Sequence, residues 1–176
     1  DQRRELGFLR TMTIREGKRT GDRLIELTTS PATTAHYDGE ERPAEDVVAD
    51  FLATLLATAE REELQVTSVV WTRHIAVKGQ RTRVEHTHLH GPETLSEALH
   101  IEGAPPMRFQ IHPRAFFQPN TLQAEVLYAE VIRATGLHDG AKTARVMDLY
   151  CGTGTIGLAM AHAAKEVIGI ELSPEA

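Results

Sequence analysis

Asp148-Leu149-Tyr150-Cys151-Gly152-Thr153-Gly154-Thr155-Ile156-Gly157 joins an apolar run to a glycine-rich turn. Ala144 to Tyr150, just ahead of the glycines, reads as a buried strand. Cys151 to Thr155 reads as a tight turn, Ile156 to Ala164 as a helix, and Val167 to Glu171 as a second buried strand. Together they make one β-α-β unit. Gly152, Gly154 and Gly157 satisfy G-x-G-x-x-G where a strand gives way to a helix, the context in which the pattern marks a cofactor crevice. Glycine there permits positive φ and lets a ligand approach the backbone. Glu171 ends the second strand, where an acid grips ribose hydroxyls. A tight turn without any ligand is the plainer alternative, and the acid weighs against it.

Two cofactor classes compete for such a crevice. NAD sets a dianionic pyrophosphate against the turn. S-adenosylmethionine sets a sulfonium and an ammonium group there, both cationic. Asp148 lies at the carboxyl end of the first strand, where a carboxylate attracts cations and repels pyrophosphate. The balance favours S-adenosylmethionine over NAD.

Upstream of this unit, Asn120 followed by Gln123 reads as a capping box opening a helix. Leu122, Val126, Tyr128, Ala129 and Ile132 give that helix an apolar face, and Gly136 stops it. The first part of the chain reads as antiparallel α+β. Gly7 to Glu16 and Arg23 to Thr29 are strands joined by the polar loop Gly17-Lys18-Arg19-Thr20-Gly21, and a turn-rich stretch surrounds Pro31 and Asp38-Gly39. From Pro43, Val47, Val48, Phe51, Leu52, Leu55, Leu56 and Ala59 recur at helical spacing, a core-packing stripe with no chemistry assigned to it. Val66 to Trp71, Ile75 to Val77, Thr82 to Leu89 and Met107 to Ile111 read as further strands. A parallel sheet buried on both faces needs more than two strands, so the sequence reads as a segment of a longer protein.

The 176 residues carry a net charge of −6, which taken as a total argues against nucleic-acid binding. The charge is uneven. Residues 1–23 are net +3, 24–72 are −8, 73–83 are +4 and 84–176 are −5. Two basic islands on an acidic chain can track a phosphate backbone, although solvated strand faces would look the same. Arg81 and Arg83, with Arg10, Arg15 and Arg73, are the candidate phosphate contacts. A single cysteine, Cys151, excludes an internal disulfide framework and suits a reducing compartment. No apolar run is long enough for a membrane span, and the charged start lacks a secretory signal's apolar region, so the expected setting is cytoplasmic. His86, His88 and His90 alternate on a predicted strand, but nothing else supports a metal site; a polar strand face is the reading taken. Trp71 reads as a core or edge aromatic.

The segment Ala115-Phe116-Phe117-Gln118-Pro119-Asn120-Thr121, followed by Asp148 through Gly157 and then Ile168-Gly169-Ile170-Glu171, resembles the RNA (uracil-5-)-methyltransferases. These enzymes make 5-methyluridine in ribosomal and transfer RNA. The run from Leu9 to Arg15 is similar to that family's central domain. The resemblance implies an α+β, substrate-facing central domain over 1–115. The first β-α-β unit of a class I, Rossmann-like S-adenosylmethionine-dependent methyltransferase fold, incomplete, would follow over 116–176. It implies that Gln118 positions the cofactor or the target base, that Phe116 lines the uracil pocket, and that Tyr150 packs beside the cofactor. Gly152 and Gly154 would shape the turn around its methionine portion, and Glu171 would hold the ribose.

In that family a cysteine thiolate adds to C6 of uracil, C5 then takes the methyl, and a base removes the C5 proton. The resemblance places the nucleophile and the base beyond Ala176. Cys151 matches the cofactor loop instead, so no catalytic residue is assigned within the chain. The upstream RNA-binding barrel and iron–sulfur cysteine cluster of some relatives have no counterpart in these residues. Pro119 stands where the family pattern has valine. The implied partner is RNA, ribosomal slightly ahead of transfer. A non-catalytic RNA-binding or scaffold segment is the alternative, and an NAD-dependent oxidoreductase segment ranks third.

Overall fold

Strands β1 (Leu9–Glu16) and β2 (Arg23–Thr29) pair antiparallel as the hairpin the sequence predicts, in register from Thr11 opposite Thr28 to Glu16 opposite Arg23. They open a computed structural model that describes residues 7–76, 79–80, 82–137 and 142–174. The chain divides into two units. The first holds the chain up to Glu16 together with Gly21–Glu93, and the second holds Gly17–Thr20 and Thr94 onward. The tip of the β1–β2 hairpin therefore belongs to the second unit.

In the first unit, β2 leads into a short hairpin, β3 (Thr34–Tyr37) and β4 (Glu40–Pro43), and then into α1 (Ala44–Arg61). Asp38 and Gly39, both at positive φ, form the two-residue loop of that hairpin, which the sequence shows only as turn-rich polar residues. After α1 come β5 (Ser68–Ile75) and β6 (Arg83–His90). The sheet order is β1-β2-β5-β6, with β2 and β5 parallel and the other pairs antiparallel. Helix α1 is thus the crossover between parallel strands. It lays Ala44 and Val48 on Leu27 and Trp71, with Phe8, Phe51 and Leu89 packed around them. Trp71 is core, as expected, and its indole N–H donates to Thr29 Oγ1 at 2.9 Å. Asp46 and Glu45 stand in the first turn of α1 and Arg61 in its last, each at the end that suits its charge.

The second unit begins with the antiparallel pair β7 (Leu95–Leu99) and β8 (Met107–Ile111), then α2 (Thr121–Thr135), β9 (Arg145–Leu149), α3 (Thr155–Met160) and β10 (Glu166–Ile170). β9 and β10 pair parallel from Glu166 opposite Arg145 to Ile170 opposite Leu149, so the β-α-β reading holds. The division between units falls at Glu93–Thr94. The reason is local: β7 and β8 carry the residues that seat α2 and the segment leading into it. Asn120 caps α2 by accepting from the Gln123 N–H at 3.2 Å, and Gly136 ends it in the left-handed conformation. One face of the β9–β10 pair carries Met147, Leu149, Ile168 and Ile170, each between 42% and 61% exposed. Parallel strands are stable with both faces covered. This face is bare among the described residues.

Candidate functional site

The glycine turn is built from the end of β9 outward. Tyr150 takes φ 59°, a left-handed conformation uncommon for a residue with a side chain, and its ring is 90% exposed. Gly152 and Gly154 follow at φ 55° and 74°. A Cβ added at Gly152 would meet nothing within 4 Å, and one at Gly154 only the Leu158 side chain at 3.6 Å. Open space therefore lies above Gly152, and above Gly154 only a flexible side chain. Gly157 differs. A Cβ there would come within 3.0 Å of Asp148 Oδ2 and of Val167 Cγ1, so this glycine serves the close approach of α3 to the strands.

Three bonds hold the turn. Gly154 N–H donates to the Cys151 carbonyl at 2.8 Å, Cys151 N–H to the Ile170 carbonyl at 3.1 Å, and Gly152 N–H to Glu171 Oε2 at 2.8 Å. The other oxygen of Glu171 accepts from the Leu172 and Ser173 N–H groups, each at 2.7 Å. The backbone N–H groups of Ser173, Gly152 and Leu172 together hold its carboxyl below the usual carboxylate range. Glu171 thus sits at the carboxyl end of β10, ionised, exposed and aimed across the turn. A carboxylate has about four acceptor positions, and three are engaged here. Gripping a ribose diol would require one of these bonds to be shared.

Asp148 also reaches the turn. Its Oδ2 accepts from the Gly157 N–H at 2.8 Å, tying α3 to β9, a structural duty that cation attraction alone does not anticipate. Tyr128 of α2 is buried. Burial raises the pKa of its phenol, and the negative charge of Asp148 raises it further. The Cys151 thiol points at β10: a Cβ on Gly169 would lie 2.9 Å from its Sγ. Cys151 thus packs within the β9–β10 pair.

The aromatic segment ahead of α2 is sorted by its neighbours. Phe117 packs on Phe109 of β8, ring centroids 5.5 Å apart and tilted by 56°. Phe116, its neighbour, is 71% exposed, and Gln118 is half-buried. Structure therefore selects Phe116 as the presented ring and Phe117 as the anchor.

The basic candidates separate less cleanly. Arg83 begins β6, exposed and opposite Ile75. Arg81 lies outside the described residues. Arg73 is committed, bridging to Glu85 at 3.2 Å and lying over the Trp71 ring at 5.0 Å. The three alternating histidines do not share a face. A register shift between Val69 and Val70 sets His88 opposite Val70 but His90 opposite Val69, on the other side of the pleat. Among the described residues no group of His, Cys, Asp and Glu could hold a metal ion, and no helix is long and apolar enough to cross a membrane. An apolar groove of about 420 Å³ between β1 and α1 is lined by Phe8, Leu9, Met12, Phe51 and Leu55, with Asp50 its only carboxylate. It offers little to a charged cofactor.

One part of the site was not anticipated. Glu97 of β7 and Glu125 of α2 are both buried acids, the first only 2% exposed. Glu97 accepts from the backbone N–H groups of Lys18, Arg19 and Ala98 and from Thr121 Oγ1, at 2.6 to 3.0 Å. Glu125 takes a bidentate pair from Arg19, at 3.2 and 2.7 Å, and the His100 N–H at 2.8 Å. Leu122 and Val126, expected on the buried face of α2, are exposed instead. The helix is turned so that Thr121 and Glu125 face inward. The sequence signal was a loop, Gly17 to Gly21, whose arginine needed a partner.

A family model described as tRNA (uracil-5-)-methyltransferase matches residues 50–176. An RNA methyltransferase of Protochlamydia amoebophila is 40% identical over 177 residues, covering 98% of this chain and 38% of the relative. One of Chlamydia muridarum is 36% identical over 172 residues, covering 97% and 39%. The chain thus spans about two fifths of the length of these relatives. The crystal structure of Pyrococcus abyssi tRNA (uracil-54, C5)-methyltransferase in complex with S-adenosyl-L-homocysteine superposes with a TM-score of 0.63 at 22% identity, over 97% of this chain and 35% of that one. The fold is therefore that of a methyltransferase of this kind.

Proposed function

The chain belongs to the tRNA (uracil-5-)-methyltransferase family, and from that premise we propose that it carries the cofactor turn and the base-facing segment of an enzyme that methylates C5 of uracil in RNA. The supporting observation is the turn itself. Two left-handed glycines, Gly152 facing open space and Gly154 only the Leu158 side chain, stand beside an ionised Glu171 at the end of the second parallel strand. These residues fit S-adenosylmethionine: a carboxylate for the ribose, backbone that a ligand can approach closely, and the Asp148 carboxylate nearby for cationic groups. When bound, S-adenosylmethionine supplies an electrophilic methyl group on a sulfonium. Glu171 would accept from its ribose hydroxyls, Tyr150 would cover one side of it, and Gly152 and Gly154 would border its methionine portion. Phe116 would present a ring to the uracil and Gln118 a side-chain amide to base or cofactor.

C5 of uracil becomes a sufficient nucleophile only when a thiolate has added at C6. The packing of Cys151 against Gly169 supports assigning the nucleophile and the base to residues of the protein outside these 176. Arg81 and Arg83 are proposed as phosphate contacts. The substrate is a uridine in ribosomal or transfer RNA, handled in the cytoplasm.

Calorimetry on the full-length protein tests the cofactor assignment. S-adenosylhomocysteine should bind in preference to NAD. Glu171→Ala should weaken it about tenfold to a hundredfold, the loss of charge-assisted hydrogen bonds. Because the Glu171 carboxyl is held below its ordinary value of 4.5, affinity should stay flat as pH falls toward that value and decline only beneath it. Tighter binding of NAD, or an unaltered affinity in Glu171→Ala, contradicts the assignment.

A further inference from the structure

We infer that Glu97, together with the Arg19–Glu125 pair, is a positioning device that sets Phe116 and Gln118 for the target base; the inference rests on the methyltransferase reading of that segment. Residues 115–120 belong to no helix or strand. They are held at two points. Between Phe116 and Gln118, Phe117 packs on Phe109. Beyond Gln118, Thr121 and Glu125, one turn apart on α2, are bound into the acid network.

That network is unusually complete. Burying a carboxylate is costly unless hydrogen bonds compensate for lost water. Glu97 has four donors, drawn from the hairpin tip, its own strand and α2. Gly17 is required at the tip, because a Cβ would lie 2.3 Å from the Ser96 carbonyl oxygen. Thr20 Oγ1 donates to that same carbonyl at 2.7 Å, so three successive tip residues, Lys18 to Thr20, are bonded to β7 or α2. An apolar contact would hold α2 with less directional precision. A network of this kind fixes the first turn of the helix, and hence Gln118 three residues ahead, in one place. The glycine turn is held by separate bonds to Glu171 and Asp148. The device therefore acts through the segment that carries Phe116 and Gln118 and leaves the ribose grip of Glu171 untouched.

The experiment is a double-mutant cycle in the full-length enzyme, with Glu97→Gln and Gln118→Ala singly and together. Methyl transfer to RNA, S-adenosylhomocysteine affinity and Tm are measured on each. Glu97→Gln should lower kcat about tenfold to a hundredfold, as misplacement of a positioned group does, with cofactor affinity falling no further than it does in Gln118→Ala. The double variant should be little worse than Gln118→Ala, because the two act through one group. Arg19→Lys, which keeps the charge but loses the fork, should fall between wild type and Glu97→Gln. If Gln118→Ala itself is fully active, the reading of the segment fails. If Gln118→Ala is impaired but Glu97→Gln is not, or the two effects multiply independently, the positioning role fails and Glu97 is only structural. Should Glu97→Gln fail to fold, Arg19→Lys in the same cycle with Gln118→Ala decides by the same criterion.

Discussion

Glycine at Gly152 and glycine at Gly157 look interchangeable in the motif, yet they answer to different demands. Gly157 is confined by Asp148 Oδ2 and Val167 Cγ1 at 3.0 Å, whereas Gly152 faces open space at φ 55°. Gly157→Ala should therefore cost about 1–3 kcal/mol of stability through overpacking, with the Asp148 contact displaced. Gly152→Ala should cost about 1 kcal/mol from left-handed strain, and its larger effect should fall on cofactor affinity. Thermal unfolding and calorimetry on the two variants check this separation. Equal losses of stability with equal losses of binding would show that the space above Gly152 is not a ligand site. The same contrast separates Phe116 from Phe117, which adjoin in sequence but not in duty: one ring is anchored on Phe109 and the other is left outward.

Elements show where the sequence could be read and where it could not. Periodicity and punctuation located β2, β8 and the β9-α3-β10 unit, because Gly, Asn and alternating apolar residues act locally. The orientation of α2 was not legible. Leu122 and Val126 look like core and Glu125 like surface until Arg19, more than a hundred residues away, supplies its charge. The short strands of the β3–β4 hairpin carry no apolar alternation, and β7 hides a buried acid among its small and apolar residues, so neither announced itself. In the site, the glycine turn and Glu171 were legible and the Glu97 network was not, since no local pattern marks a carboxylate that is satisfied by backbone from another hairpin. Burial raises the pKa of Glu125, but the Arg19 hydrogen bond, the His100 N–H and the Arg19 charge outweigh it, and the carboxyl ends below its ordinary value of 4.5. A depressed acid contributes stability that is full above its unfolded value and is lost as pH falls through the depressed one. Arg19→Ala should lower Tm by several degrees at pH 7, with the gap from wild type closing in acid; a gap independent of pH would mean that the ion pair contributes nothing.

At the scale of the molecule, the first unit supplies a mixed four-stranded sheet and the second a parallel pair with a cofactor turn. The parallel pair exposes Met147, Leu149, Ile168 and Ile170 on one face, and its lone thiol is spent on packing against Gly169. These features fit the proposal of a cofactor turn whose nucleophile is supplied by residues outside these 176. They belong to a family whose members are longer than this chain. The most direct test is transfer of labelled methyl from S-adenosylmethionine to unmodified ribosomal and transfer RNA by the full-length protein, with the product nucleoside identified by mass. A Cys151→Ala variant and the 176-residue chain alone run in parallel. The full-length protein should yield 5-methyluridine, Cys151→Ala should keep substantial activity, and the chain alone should show none. Methylation at any other atom, or turnover by the 176-residue chain that vanishes in Cys151→Ala, would overturn the assignment.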